Sequence, residues 1–253
     1  MNKLTPLIQL EVCANSVTSA LAAQDGGAVR VELCDNLYEG GTTPSYGQIA
    51  LARKLLHIKL YVLIRPRGGD FLYSDTDFEI MKQDIQYCVD IGCDGIVIGI
   101  LNPDGSIDKT RCTELVNMAK KKGLGVTFHR AFDMSADLSQ ALEDVISIGC
   151  ERILTSGGKS TAIEGANVIT HMVKQAAGRI KIMAGAGVNE QNVTGLIHFT
   201  GVKEVHSSAR GAVESKMKFQ NDYIMMGNTY LDEFTLQLTD VNKVKAIINM
   251  ANS

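Results

Sequence analysis

Short β-branched runs alternate along the chain with amphipathic stretches about twice as long. The runs are Ile8–Cys13, Val29–Cys34, Leu60–Arg65, Gly95–Ile100, Gly125–Arg130, Arg152–Thr155, Ile180–Ala184 and Val202–Ser207. They are apolar on both faces through most of their length, as in Leu60-Tyr61-Val62-Leu63-Ile64. Parallel strands covered by helices on one side and by a packed interior on the other have this pattern. Eight β-α units in succession predict an α/β protein whose sheet closes into a (β/α)8 TIM barrel.

The stretches between the runs carry helix start and stop signals. Ser16 opens a helix over Val17–Gln24 that stops at Gly26-Gly27. Thr43-Pro44 places a proline ahead of Ile49–Leu56. Asp77–Ile91 repeats at helical intervals through Ile80, Asp84, Cys88 and Ile91, then meets Gly92. Thr110–Lys122, Leu138–Ile148, Ala162–Ala177, Glu190–Phe199 and a terminal Val241–Met250 follow the same plan. The segment Asp90–Val97 is echoed by Ser147–Leu154 and, more loosely, by Gln24–Val31. Each copy is a helix stop, a tight turn and a strand start, which puts Cys93 and Cys150 at the end of the barrel that serves stability, as inert core thiols. The last unit is irregular: Gly211 to Asp240 is an excursion carrying Met225-Met226, read as packing against the barrel.

Length and composition narrow the picture. The 253 residues match the ~250 of one such barrel, and no linker composition divides them, so residues 1–253 are expected to form one domain. A net charge of −3 gives no reason to expect nucleic acid or an anionic membrane as partner. No apolar run approaches the ~20 residues of a membrane span, and Met1–Pro6 has no secretion signal, so the cytoplasm is expected. The six cysteines form no Cys-x-x-Cys and indicate neither a disulfide framework nor a zinc ribbon.

The candidate chemistry gathers where the runs end, because barrels of this kind build their sites at the C-terminal ends of the strands. The first run ends Glu11-Val12-Cys13 and the second Glu32-Leu33-Cys34, so each presents a carboxylate and, one layer higher, a thiol on the same face. Later runs end in Arg65-Pro66-Arg67, in His129-Arg130 followed by Asp133, and in Ser156-Gly157. The last two give Gly185 and Gly187, then His206, Ser208 and Arg210. Glycines there are expected to expose backbone N–H groups to an anion, and a buried glutamate (Glu11 or Glu32) can pair with Arg65. His57, His171 and His198 fall on helices or at the opposite end and read as structural.

Several of these segments resemble the CutC copper homeostasis proteins. The resemblance rests on Leu10–Cys13, Val31–Cys34, Glu39–Ser45, Ile64–Ser74, Val126–Asp133 and Leu154–Gly157. It runs from about Leu10 to Arg210 and then thins. It implies a cytoplasmic barrel, often a homodimer, that binds Cu(I) at thiols corresponding to Cys13 and Cys34. Thiolates are soft ligands and suit Cu(I).

Two cysteines leave the rest of the rim unexplained. Paired carboxylates beside histidine and arginine also suit proton transfer on an anionic substrate. The second expectation is therefore an aldolase, isomerase or lyase acting on a small phosphorylated or carboxylated metabolite. Glu11 or Glu32 would be its general base, His129 its general acid, and Arg65, Arg130 and Arg210 its anion clamps.

Overall fold

The computed structural model describes residues 8–221, 223–224 and 232–253. Its barrel strands are β1 (Gln9–Ala14), β2 (Arg30–Leu33), β3 (Lys59–Leu63), β4 (Gly95–Ile98), β5 (Gly125–Phe128), β6 (Arg152–Thr155), β7 (Lys181–Ala184) and β8 (Glu204–Ser207). They are parallel, pair in chain order, and close where β8 returns to β1. The fold is thus the predicted (β/α)8 barrel. Each strand overlaps its apolar run, with ends displaced by at most two residues. Ile64 and Arg65 illustrate the displacement: they leave the ladder of β3 but stay tied down, Ile64 N–H to Val97 O (2.9 Å) and Arg65 N–H to Thr43 Oγ1 (2.9 Å).

Among the described residues eight α-helices pack outside: α1 (Val17–Gly26), α2 (Tyr46–Leu55), α3 (Asp75–Asp90), α4 (Lys109–Lys120), α5 (Leu138–Ile148), α6 (Ala166–Ala176), α7 (Val193–Thr200) and α8 (Val241–Ala251). Ser16 caps α1 by accepting from Ser19 N–H, and Gly27 ends it in the left-handed region. Gly92 and Gly149 have the same hand, so the three repeated turns share one device. Cys93 and Cys150 lie buried behind them, and burial pushes the Cys150 thiol up to about 12.

The helix starts that differ most from expectation are those of α2, α6 and α7. Helix α2 begins at Tyr46, ahead of Ile49, because Ser45 caps it by accepting from Gln48 N–H. Helix α6 begins at Ala166 because Thr161–Gly165 forms a separate turn closed by Gly165 N–H to Thr161 O. Helix α7 begins at Val193, after a turn in which Asn192 Oδ1 accepts from Asn189 N–H.

The excursion after β8 contains an antiparallel hairpin, β9 (Arg210–Glu214) with β10 (Thr235–Thr239). It is stitched to the first βα unit: Thr239 N–H donates to Ser19 Oγ (3.1 Å) and Asn15 Nδ2 to Gln237 O (2.9 Å). Met225-Met226 lie outside the described residues. Among the described residues no helix is long and apolar enough to cross a membrane.

Candidate functional site

Alternation along the strands decides what faces the barrel axis. Leu10, Val12, Ala14, Val31 and Leu33 pack outward beneath the helices, which leaves Glu11, Cys13, Arg30, Glu32 and Cys34 inside. The register sets Glu11 beside Arg30 and Cys13 beside Glu32 across β1–β2, and Glu11 beside His206 across β1–β8. Glu11 therefore stands between two basic side chains. Arg30 Nε donates to its Oε2, and His206 Nδ1 lies 2.8 Å from its Oε1.

Below this level the barrel is closed by an ionic floor. Arg30 Nη2 and Arg152 Nε both donate to Glu204 Oε2 at 2.7 Å. Arg152 Nη1 also reaches Glu151 Oε1 (2.5 Å), which takes the Tyr61 hydroxyl at 2.5 Å. Both guanidinium carbons sit over the Tyr61 ring, at 5.2 and 5.6 Å. Gly125 makes room for that ring, since a Cβ there would stand 2.0 Å from Tyr61 Oη. The floor escaped sequence reasoning because Arg30, Arg152 and Glu204 occupy strand starts, where charge reads as exposed. Only the register brings them together.

Above the floor is a cavity of about 110 Å³, lined by Cys13, Glu32, Cys34, Gly40, Leu63, Arg65, Phe71, His129, Arg130, Leu154 and His206. The thiols stand with Sγ···Sγ 3.2 Å. The ligand atoms of Cys13, Glu32 and His206 all lie within 4.8 Å of one another. The hydrogen bond to Cys34, then burial, raises the Cys13 thiol well above its ordinary value. The two carboxylates are driven apart. Burial would raise Glu11, but Arg30, His206 and Arg152 outweigh it and hold the group ionised. Burial also raises Glu32, and there it prevails over the opposing pull of His206. His206 itself is raised: burial works against its charge, but hydrogen bonds with Cys13 and Glu11 and the charges of Glu32 and Glu11 outweigh that.

Several expected residues take other roles. Glu11 pairs with Arg30 and not with Arg65. Arg65 instead donates to three backbone carbonyls, Glu39 (2.8 Å), Gly41 (2.5 Å) and Gly69 (2.8 Å). His129 does not suit a general acid, because burial, then the Arg65 charge, pushes it down to about 3 and leaves it neutral. The loop after β6 does not offer its amides to an anion. Asp133 has taken them, accepting from Ser156 N–H (3.0 Å), Gly158 N–H (3.0 Å) and Thr155 Oγ1 (2.5 Å), while Gly157 N–H goes to Thr155 Oγ1 (2.9 Å). Asp133 also holds Arg130 Nε at 2.8 Å. Arg67 turns outward to Asp70 (2.9 Å), and Gly185 packs against His206 and Leu154. Gly187, Ser208 and Arg210 line a separate groove with Lys243, where Arg210 Nε donates to Ser208 Oγ (3.1 Å). His57, His171 and His198 are all exposed and none lines the mouth cavity.

Comparison with known proteins agrees with the fold. The family model described as the CutC family matches residues 8–211. A protein from Chromobacterium violaceum named as a CutC family protein is 49% identical over 238 residues, covering 94% of this chain and 96% of its own length. One from Bacteroides fragilis, likewise named, is 48% identical over 245 residues, 96% of this chain and 97% of its own. A crystal structure from Streptococcus agalactiae, provisionally named a copper homeostasis protein CutC, superposes with a TM-score of 0.76 at 38% identity, over 80% of this chain and 99% of that one. A phosphoribosylanthranilate isomerase from Pyrococcus furiosus superposes at TM-score 0.58 and 12% identity, covering 96% of this chain and 98% of that one. That likeness is one of fold alone.

Proposed function

The chain belongs to the CutC family, a copper homeostasis family by name, and on that premise we propose that it binds Cu(I) through the thiols of Cys13 and Cys34. The observation that carries this reading is the 3.2 Å Sγ···Sγ approach at the mouth of the barrel. The donor chemistry fits the ion. Two thiols are soft ligands, and Glu32 and the His206 imidazole, held by Glu11, flank them. The metal is cargo here. The chain's part is to release the thiol protons, hold two sulfurs together and keep water away. All six cysteines are free, in keeping with a reducing cytoplasm.

An anaerobic Cu(I) titration against a competing chelator tests it, using the native protein and a Cys13→Ser/Cys34→Ser variant. Stoichiometric binding that the variant loses is the expected result. Binding that survives in the variant would sink the thiol site.

A second reading, a small-metabolite enzyme using acid–base chemistry, is favoured by one observation. Of two carboxylates in one site, Glu11 is held ionised and Glu32 is pushed up, the separation that divides proton-holding roles. Glu32 lines the cavity, while Glu11 is fully buried and committed to Arg30, so Glu32 would carry the proton. Turnover lost in Glu32→Gln but retained in the double thiol variant would favour this reading over copper.

A further inference from the structure

Two groups in the cavity take no part in either scheme as drawn. Arg65 is only 4% exposed, and among the described residues its guanidinium forms no ion pair; it rests on neutral carbonyl oxygens. Among the described residues its Nε–H has no hydrogen-bond partner, and the Tyr73 hydroxyl beside the guanidinium is likewise unpartnered. His129 is 5% exposed, and its Nε2 is equally unpartnered. His129 Nδ1 accepts from Ala131 N–H at 3.1 Å, and the ring is neutral, so the ring proton sits on Nε2. Both nitrogens are therefore donors.

Buried donors without acceptors and a buried cation without a counter-charge are each costly, and one ligand would relieve all three. It must accept hydrogen bonds and carry negative charge. Arg65 and His129 share a wall: the Phe71 ring centroid lies 5.1 Å from Arg65 Cζ and 5.1 Å from the His129 ring. Leu63, Phe71 and Leu154 add apolar surface to a lining that also holds Arg130 and His206. The cavity of about 110 Å³ has room for only a few non-hydrogen atoms. Arg65 is a single uncompensated cation and so matches a ligand of single negative charge; the Glu32 carboxyl lines the same cavity.

We infer that the barrel mouth is a binding site for a small monocarboxylate, whose oxygens are taken by Arg65 Nε–H and His129 Nε2–H and whose short carbon skeleton lies against Phe71 and Leu154, toward Glu32 and the thiols. This deepens the second reading by naming its ligand class, and it rests on that reading for any chemistry. Binding itself is independent of it. His129 is a binding residue in this scheme, which is compatible with its loss of acid character.

The test is titration of the copper-free protein with propionate, followed by calorimetry and by the ¹⁵N shift of the His129 ring. Millimolar affinity is expected for so few atoms. His129→Asn keeps an acceptor for Ala131 N–H but removes the Nε2 donor, and it should weaken binding at least ~10-fold, roughly one lost hydrogen bond to a charged group. Arg65→Lys, which keeps charge but not the Nε–H, provides the second variant should the first fold poorly. No binding to the native protein, affinity unchanged in both variants, or preference for inorganic phosphate would each overturn the inference. Hydrogen exchange at the methyl group of pyruvate in heavy water separates the two claims. Binding of propionate without that exchange would leave the anion site standing and remove acid–base chemistry.

Discussion

Cys13 and Cys34 touch through their sulfurs, Sγ···Sγ 3.2 Å, although the strand register sets Cys13 level with Glu32. The stagger between neighbouring barrel strands lifts Cys34 past the end of β2, and the two side chains close the gap diagonally. The Cys13 thiol is held protonated, since its hydrogen bond to Cys34, then burial, raise it.

If Cys13 and Cys34 take Cu(I) as proposed, loading releases protons. Thiols must lose theirs to become ligands, so the apparent Cu(I) affinity should climb as pH rises from 6 to 8, by about tenfold per pH unit for each proton released. Chelator competition at several pH values measures the slope. A flat profile would show that the thiols are not the ligands.

The ionic floor makes Glu204 a structural keystone for two guanidinium groups. Glu204→Gln leaves Arg30 and Arg152 underneutralised in the interior, and the expected loss is about 3–5 kcal/mol, read from urea unfolding. A variant of native stability would mean that Glu11 and Glu151 suffice.

His129 makes stability depend on pH. Its folded value is about 3 against an ordinary 6.5, so the unfolded chain binds a proton that the native one refuses. Stability contributed by the neutral ring is complete above 6.5 and drains away as pH falls toward 3. The slope has a ceiling of ~1.4 kcal/mol per pH unit. His129→Asn should flatten the decline between pH 6.5 and 5. Parallel unfolding curves for the two proteins across that range would contradict the assignment.

Asp133 organises the loop after β6 through Ser156, Gly158, Thr155 and Arg130. Asp133→Ala should cost about 2–3 kcal/mol, since several donors lose a charged acceptor at once. Amide exchange at Ser156 and Gly158 should accelerate far more than exchange in the barrel strands. Unchanged protection at those two amides would refute the role.

Much of this molecule could be read from residue order. Period and punctuation gave eight strands and eight helices, because a β-branched run bounded by glycine turns has few other uses in a parallel sheet. Alternation gave Glu11 with Cys13 and Glu32 with Cys34, because two-residue periodicity fixes a shared face. Partners were another matter. Glu11 chose Arg30 over Arg65 through a register that no local pattern encodes. Gly157 looked like an anion cradle until Asp133, more than twenty residues earlier, proved to occupy the loop's amides. The unpartnered state of His129 Nε2 is likewise a property of three-dimensional surroundings.

The crossed arginines and glutamates on the Tyr61 ring plug the barrel from below. The thiol pair thus sits at the end of a blind alley. Whatever reaches the sulfurs must leave by the route it entered, so a donor and an acceptor cannot be served from opposite ends at once. If the thiols carry Cu(I) as proposed, loading and unloading would be sequential: one visitor would depart before the next arrives, and the rim loops that meet the first would also meet the second.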